Sequence, residues 1–397
     1  MTDFVGLTWD HPRGRHALER SAHRVGGGDT LRWEVQPLEG FESAPIDELA
    51  ARYDLLVLDH PHLGDALATG ALIPVDRLYP AAQLQRWRSA AVGPSIASYE
   101  LDGHLWALPL DAATQVSARD TALVPEAPAD WDEALALADR GLVATSLAGP
   151  HAFLSLCSVA VSLGDETAGG ERLFDPAIGA EALGILTRLS AHAPAGTAAL
   201  NPIGLLDRMR DRRDIGCIPL VYGYVTYASD TLVFGAPPRG GGRLGRKGPG
   251  RIGSTIGGTG IAVTGRTAPT PALLDHLAWL LDPETQRTVI PAADGQPSAR
   301  AAWTDPAVDA AAHGFYGGTL ETIEQAWVRP RLPGYIPFQS AASALVRAAV
   351  AGQRRADAVL AELEERFQAL RAAASVAPRP AASVPSPVPV TVPEVSA

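Results

Sequence analysis

The sequence predicts an α/β protein, and three observations predict it. Within the first ~110 residues, apolar strand-like runs alternate with helical segments, the pattern of a sheet covered by helices. The run Asp54-Leu55-Leu56-Val57-Leu58 is almost continuously apolar, as a strand covered on both faces must be. The chain has 397 residues, 46% hydrophobic and 19% charged, enough to bury two lobes.

Taken in order, Phe4–Trp9 reads as a strand and empties into Asp10-His11-Pro12-Arg13-Gly14. A helix follows over about Gly14–Arg24 and is broken by Gly26-Gly27-Gly28. Leu31–Gln36 is a second strand and Ile46–Arg52 a short helix. The strand Asp54–Leu58 ends in Asp59-His60-Pro61-His62, and the strand Leu105–Leu110 ends at Asp111. Asp130 is placed to cap a helix over Trp131–Arg140. Leu142–Leu147 reads as a strand, His151–Leu163 and Pro176–His192 as helices, Asn201–Arg210 as another helix, and Ile215–Val221 as a strand running into Tyr222-Gly223-Tyr224. Residues 239–253 hold seven glycines and five basic residues without the spacing of a phosphate-binding loop, and read as a mobile solvated loop. Ile256–Val263 re-enters a strand; Thr270–Leu281, Pro283–Pro291, Thr319–Val328, Ser340–Ala351 and Ala356–Ala373 read as helices. Residues 374–397 contain six prolines among Ala, Ser and Val, and are expected to be a disordered extension.

Composition excludes several function classes. A net charge of −11 argues against nucleic acid, whose binding depends on Lys and Arg contacts to phosphate. No apolar run approaches the ~20 residues of a membrane span. Cys157 and Cys217 lie in apolar stretches and are expected to be buried free thiols, and no Cys/His spacing suggests a metal. Neither a cofactor nor a metal is expected. No basic stretch followed by about 7–15 apolar residues precedes Phe4, so a cytoplasmic location is expected.

Several segments in succession resemble the extracellular solute-binding proteins of ABC importers, the sugar-binding group with the periplasmic-binding-protein type II fold. They are Tyr53–Asp59, Gly70-Ala71-Leu72-Ile73-Pro74-Val75-Asp76, Gly103–Leu110, Gly258–Val263, Trp279–Gln286, Gly295–Arg300 and Arg329-Pro330-Arg331-Leu332-Pro333-Gly334-Tyr335. The resemblance spans about residues 4–371. It implies two lobes around a ligand cleft, one of 4–111 plus 258–315 and the other of 112–257 plus 316–373, that close about a hinge. Exported members carry a signal peptide or a lipoprotein cysteine, and neither is expected here from the residues before Phe4.

In open α/β sheets ligands sit beyond the carboxyl ends of strands. That rule selects Trp9, Asp10, His11 and Arg13, then Asp59, His60 and His62 (His60 before His62), then Asp111 with Gln115. Tyr222 and Tyr224 would face them, and Gly257 and Gly258 lie on a crossover. Carboxylates accept from hydroxyls, an arginine can grip a carboxylate with both edges, and aromatic faces cover C–H surface; the set suits a carbohydrate or an organic or sugar acid. Each residue also has a structural reading: Trp9 as core, Asp10 as helix cap, Arg13 as a solvated cation, Asp111 as a hinge hydrogen bond, the tyrosines as packing. His62 reads as surface, and the remaining histidines, His151 and His276 among them, are given no role. A monomeric binder of a small polar solute is the first expectation, with a transporter or pathway protein as its partner. The alternative is a metal-independent lyase or isomerase using His11, Asp59, His60 and Asp111 as acids and bases. A cytoplasmic sensor or scaffold using the Pro-rich tail is a third reading.

Overall fold

The computed structural model describes residues 1–241 and 250–376. Its strands are β1 (Asp3–Trp9), β2 (Thr30–Gln36), β3 (Leu55–Leu58), β4 (Glu100–Leu101), β5 (His104–Leu105), β6 (Leu108–Asp120), β7 (Cys217–Tyr222), β8 (Leu232–Gly235) and β9 (Ile256–Val263). The helices before residue 200 are α1 (Pro12–Ser21), α2 (Leu38–Ser43), α3 (Ile46–Ala50), α4 (Leu63–Thr69), α5 (Ala81–Ala90), α6 (Trp131–Asp139), α7 (His151–Ser162) and α8 (Pro176–Ala191). Those after it are α9 (Pro202–Arg212), α10 (Pro271–Leu280), α11 (Pro283–Ala292), α12 (Arg300–Trp303), α13 (Pro306–Ala311), α14 (Phe315–Glu324), α15 (Tyr335–Val350) and α16 (Ala356–Val376).

The main sheet runs β2-β1-β3-β9-β6-β7, with β8 also on β6. β1 is parallel to β2 and β3, whereas β9, β6, β7 and β8 join antiparallel, so the sheet is mixed. The strand at Leu105–Leu110 does not stop at Asp111. It continues through small residues to Asp120, pairing with β9 over Leu108–Thr114 and with β7 and β8 over Gln115–Asp120. A change of partner, not a chain end, therefore lies beside Asp111. Pro109 sits where the register slips against β9, as a residue without an N–H requires.

Apolar side chains gather in two clusters. One joins β1, β3, β9 and β6 to α9, α10 and α14; the other joins α6, α7, α8, α15 and α16. β7 serves both, giving Ile218 and Val221 to the first and Cys217 and Leu220 to the second. Both cysteines are buried and free, and burial pushes the Cys217 thiol up to about 12.

Helix starts follow the capping signals: Asp130 accepts from Glu133 N at 3.0 Å, Asn201 from Gly204 N at 2.9 Å, and Asp282 from Glu284 N at 2.9 Å. Other boundaries move. Leu142–Leu147 makes one bridge to β7 at Val143–Cys217 and no ladder, because the Leu142 carbonyl takes both the Gly216 and Cys217 amides. α14 and α15 begin earlier than expected, just after Gly314 and Gly334, whose φ of 76° and 79° turn the chain into each helix. Ala374–Val376 extend α16 instead of opening the tail; the rest of the expected disordered extension lies outside the described residues. The middle of the Gly/Arg-rich segment also lies outside them. Its ends are packed: Arg251 Nε donates to Val161 O at 2.6 Å and Ile252 is buried.

Gly258 is required by its conformation. Its φ is 91°, and an added Cβ would lie 2.4 Å from Asp111 O and 2.9 Å from Ala112 Cα, both backbone atoms of β6. Gly258→Ala is expected to destabilise the protein by about 2 kcal/mol, read from the urea midpoint. An unchanged midpoint would mean that β6 yields there without cost.

Candidate ligand-binding site

Arg13 lies in the first turn of α1, which His11 caps by accepting from Arg13 N at 3.2 Å. The guanidinium reaches β6, where Nε and Nη2 donate to the two carboxylate oxygens of Asp111 at 2.8 and 2.6 Å, and Nη1 donates to Gly223 O at 3.1 Å. It lies over the Tyr224 ring, 4.7 Å from the centroid, with Trp9 at 5.5 Å. The pair is almost solvent-free, with side-chain exposures of 4% and 3%. The fork expected to grip a ligand carboxylate is thus filled by Asp111, and Asp111 by the fork.

A second pair forms at the end of β3. Asp59 accepts from His60 N at 2.9 Å and from Arg329 Nη2, and Arg329 also donates to Gln339 Oε1 at 3.3 Å. Arg329 N donates to His60 Nε2 at 3.2 Å, which places the ring proton on Nδ1 by inference from the hydrogen bond. Nδ1 lies 3.1 Å from Asp59 Oδ1, outside hydrogen-bonding geometry. Burial alone would raise the Asp59 carboxyl, but the Arg329 charge and His60 outweigh it and hold it well below the carboxylate range. Burial, aided by Arg329, lowers His60 to about 4; burial, aided by Arg13, does the same to His11. The histidines proposed as acids and bases are therefore neutral at pH 7, and both partner carboxylates are engaged by arginines. His62 is buried, not on the surface, with Nε2 3.2 Å from Phe41 O.

Aromatic rings pack around these pairs. Trp9 stacks on His11 at 5.2 Å and meets Phe41 of α2 at 5.7 Å; Tyr224 stands edge-on to His11 at 4.9 Å. Beside Phe41, Glu42 reaches α7, placing Oε1 3.3 Å from His151 Nε2. His151 stands edge-on to Tyr222 at 5.8 Å, and Tyr222 lies over Gly257, where a Cβ would come within 2.6 Å of its ring. Here polar atoms are left over. Among the described residues, the Tyr222 hydroxyl and both ring nitrogens of His151 are buried without a hydrogen-bond partner.

Trp9, His11, Arg13, Asp111 and Tyr224 thus come together as one group, Asp59 and His60 as another, and Tyr222 with Gly257 as a third. Asp10 instead faces solvent and pairs with Arg15 at 2.5 Å. Gln115 is wholly buried beneath the strands, bonded to Ser155 and Ser158. Gly258 meets only backbone at its Cα face. Sequence reasoning passed over Phe41, Glu42 and His151. Arg329 entered it only as part of a resembling segment, with no role of its own.

No protein-family model matches the chain, and no curated protein matches it. Solved structures do. The ABC transporter solute-binding protein of Agrobacterium radiobacter in complex with ribitol superposes with a TM-score of 0.77 at 18% identity, covering 93% of this chain and 98% of that one. Maltose-bound MalE3 of T. maritima gives 0.73 at 16% identity over 93% and 100%. The solute-binding protein of Agrobacterium vitis with bound D-mannitol gives 0.71 at 18% identity over 94% and 99%. The chain therefore has the two-lobed α/β fold of ABC-transporter solute-binding proteins, the periplasmic-binding-protein type II fold. Among the described residues no helix is long and apolar enough to cross a membrane.

Proposed function

We propose that the protein captures a carbohydrate or polyol between its lobes. The observation that carries this reading is the trio of unpartnered buried polar atoms at Tyr222 and His151, flanked by aromatic rings. A buried polar atom without a partner is costly, and a ligand hydroxyl, which both donates and accepts, would satisfy either type. Support comes also from neighbours of this fold whose structures hold ribitol, maltose and D-mannitol.

Calorimetry against polyols, monosaccharides and short oligosaccharides tests it, and at least one is expected to bind; turnover or silence across the panel would refute it. Tyr222→Phe is expected to weaken that ligand about tenfold, the worth of one hydrogen bond. Its urea midpoint should not fall, because the hydroxyl has no protein partner to lose.

A further inference from the structure

Most of the fixed charges around this site are matched among themselves. Arg13 is held by both oxygens of Asp111, Arg329 by Asp59, and Asp10 at the rim by Arg15. Arg331, the other guanidinium on that stretch, gives Nη1 to the carbonyls of Ala97 and Ser98 at 3.3 Å and keeps Nε buried without a partner among the described residues. His11 and His60 are neutral near pH 7. Glu42 differs from all of these. Its neighbour across the site is His151, 3.3 Å away and out of line for a hydrogen bond, and its charge is felt by the Tyr222 and Tyr224 phenols.

We propose that Glu42 is the charge-selecting residue of this site, excluding solutes that carry a carboxylate and admitting neutral polyhydroxylated ones. The inference rests on the reading of the site as a carbohydrate or polyol site, and narrows it by removing the sugar acids. Two physical reasons meet here. An anion beside Glu42 is repelled in a partly desolvated space, where like charges interact more strongly than in water. Among the described residues, the arginines beside it are already charge-paired, Arg13 with Asp111 and Arg329 with Asp59, so that even the unpartnered Nε of Arg329 brings no net positive charge to offset the loss of its hydration. A neutral hydroxyl can donate to Glu42 and pair with either nitrogen of His151.

The test is calorimetry at pH 7.5 with solutes paired by the oxidation of one carbon: ribitol with ribonate, D-mannitol with mannonate, glucose with glucuronate, maltose with maltobionate. The tightest binder should be neutral and should bind about thirtyfold or more tightly than its acid. Glu42→Gln and, as a second variant, Glu42→Ala should narrow that ratio to about fivefold or less by strengthening the acid. An acid that binds as well as its neutral partner overturns the proposal, as does an unchanged ratio in both folded variants. If no compound of either kind binds, the reading of the site itself falls and takes this inference with it.

Discussion

Asp111→Ala is expected to destabilise the protein by about 3–5 kcal/mol, the cost of leaving one member of a buried ion pair alone. The argument is geometric. Asp111 supplies both acceptors to the Arg13 fork, and the guanidinium is only 4% exposed, so water cannot replace what the carboxylate gave. Gly223 O at 3.1 Å and the faces of Tyr224 and Trp9 remain, too little for a full charge. Arg13→Ala should cost less, because an abandoned carboxyl can take up a proton. Replacing both, Arg13→Met with Asp111→Leu, should recover most of the loss, since well-packed apolar pairs rival buried ion pairs. Urea unfolding followed by tryptophan fluorescence reads all three. A loss below about 1 kcal/mol in Asp111→Ala would show that the pair behaves like a surface ion pair, and a double variant as unstable as the single one would show that packing, not charge, sets the cost.

The same pair shows what a linear reading could reach. The strand ends at Trp9 and Leu58 were visible because an apolar run stops abruptly at polar residues, and the helix cap at Asp130 because that Asp precedes helical periodicity. Asp111 was read as a strand end for the same reason, but Ala112-Ala113-Thr114 carry the strand onward because β9 is there to pair with them. Local sequence does not contain that neighbour, which lies almost 150 residues downstream. Partner choice is hidden in the same way. Arg13 and Asp111 are separated by 98 residues and Arg329 and Asp59 by 270, so each looked like a free ionic group until the fold closed the distance. His151 was one scattered histidine after a proline, and Glu42 one acid in a segment to which the sequence assigned no element. Only the approach of α2 to α7 makes them a pair.

Stability should also fall as the pH drops from about 6.5 toward 4, and three histidines set that window. Burial lowers His60, His11 and His276 each to about 4, helped at His276 by Arg24 and His23, whereas histidine in the unfolded chain titrates near 6.5. Between those values the unfolded chain binds more protons than the folded one, so the stabilisation is complete above about 6.5 and is lost on acidification. For the fully buried His60 and the nearly buried His276 the loss by pH 5 is on the order of 2 kcal/mol each. Asp59 acts in a lower window. Its carboxyl is held below the usual range, so its contribution persists above about 3.9 and fails only in stronger acid. His276 isolates the effect, because neither ring nitrogen has a protein partner and the ring stacks on Trp279 away from the candidate site. His276→Leu removes a desolvated imidazole and no hydrogen bond, so its stability should decline less steeply between pH 6.5 and 5, by about 1.4 kcal/mol per pH unit at most. At pH 5 the variant should be more stable than the parent, with ligand affinity unchanged. Parallel stability curves for the two proteins would mean that His276 is already hydrated in the folded state, and the acid loss would then have to come from His60 and His11.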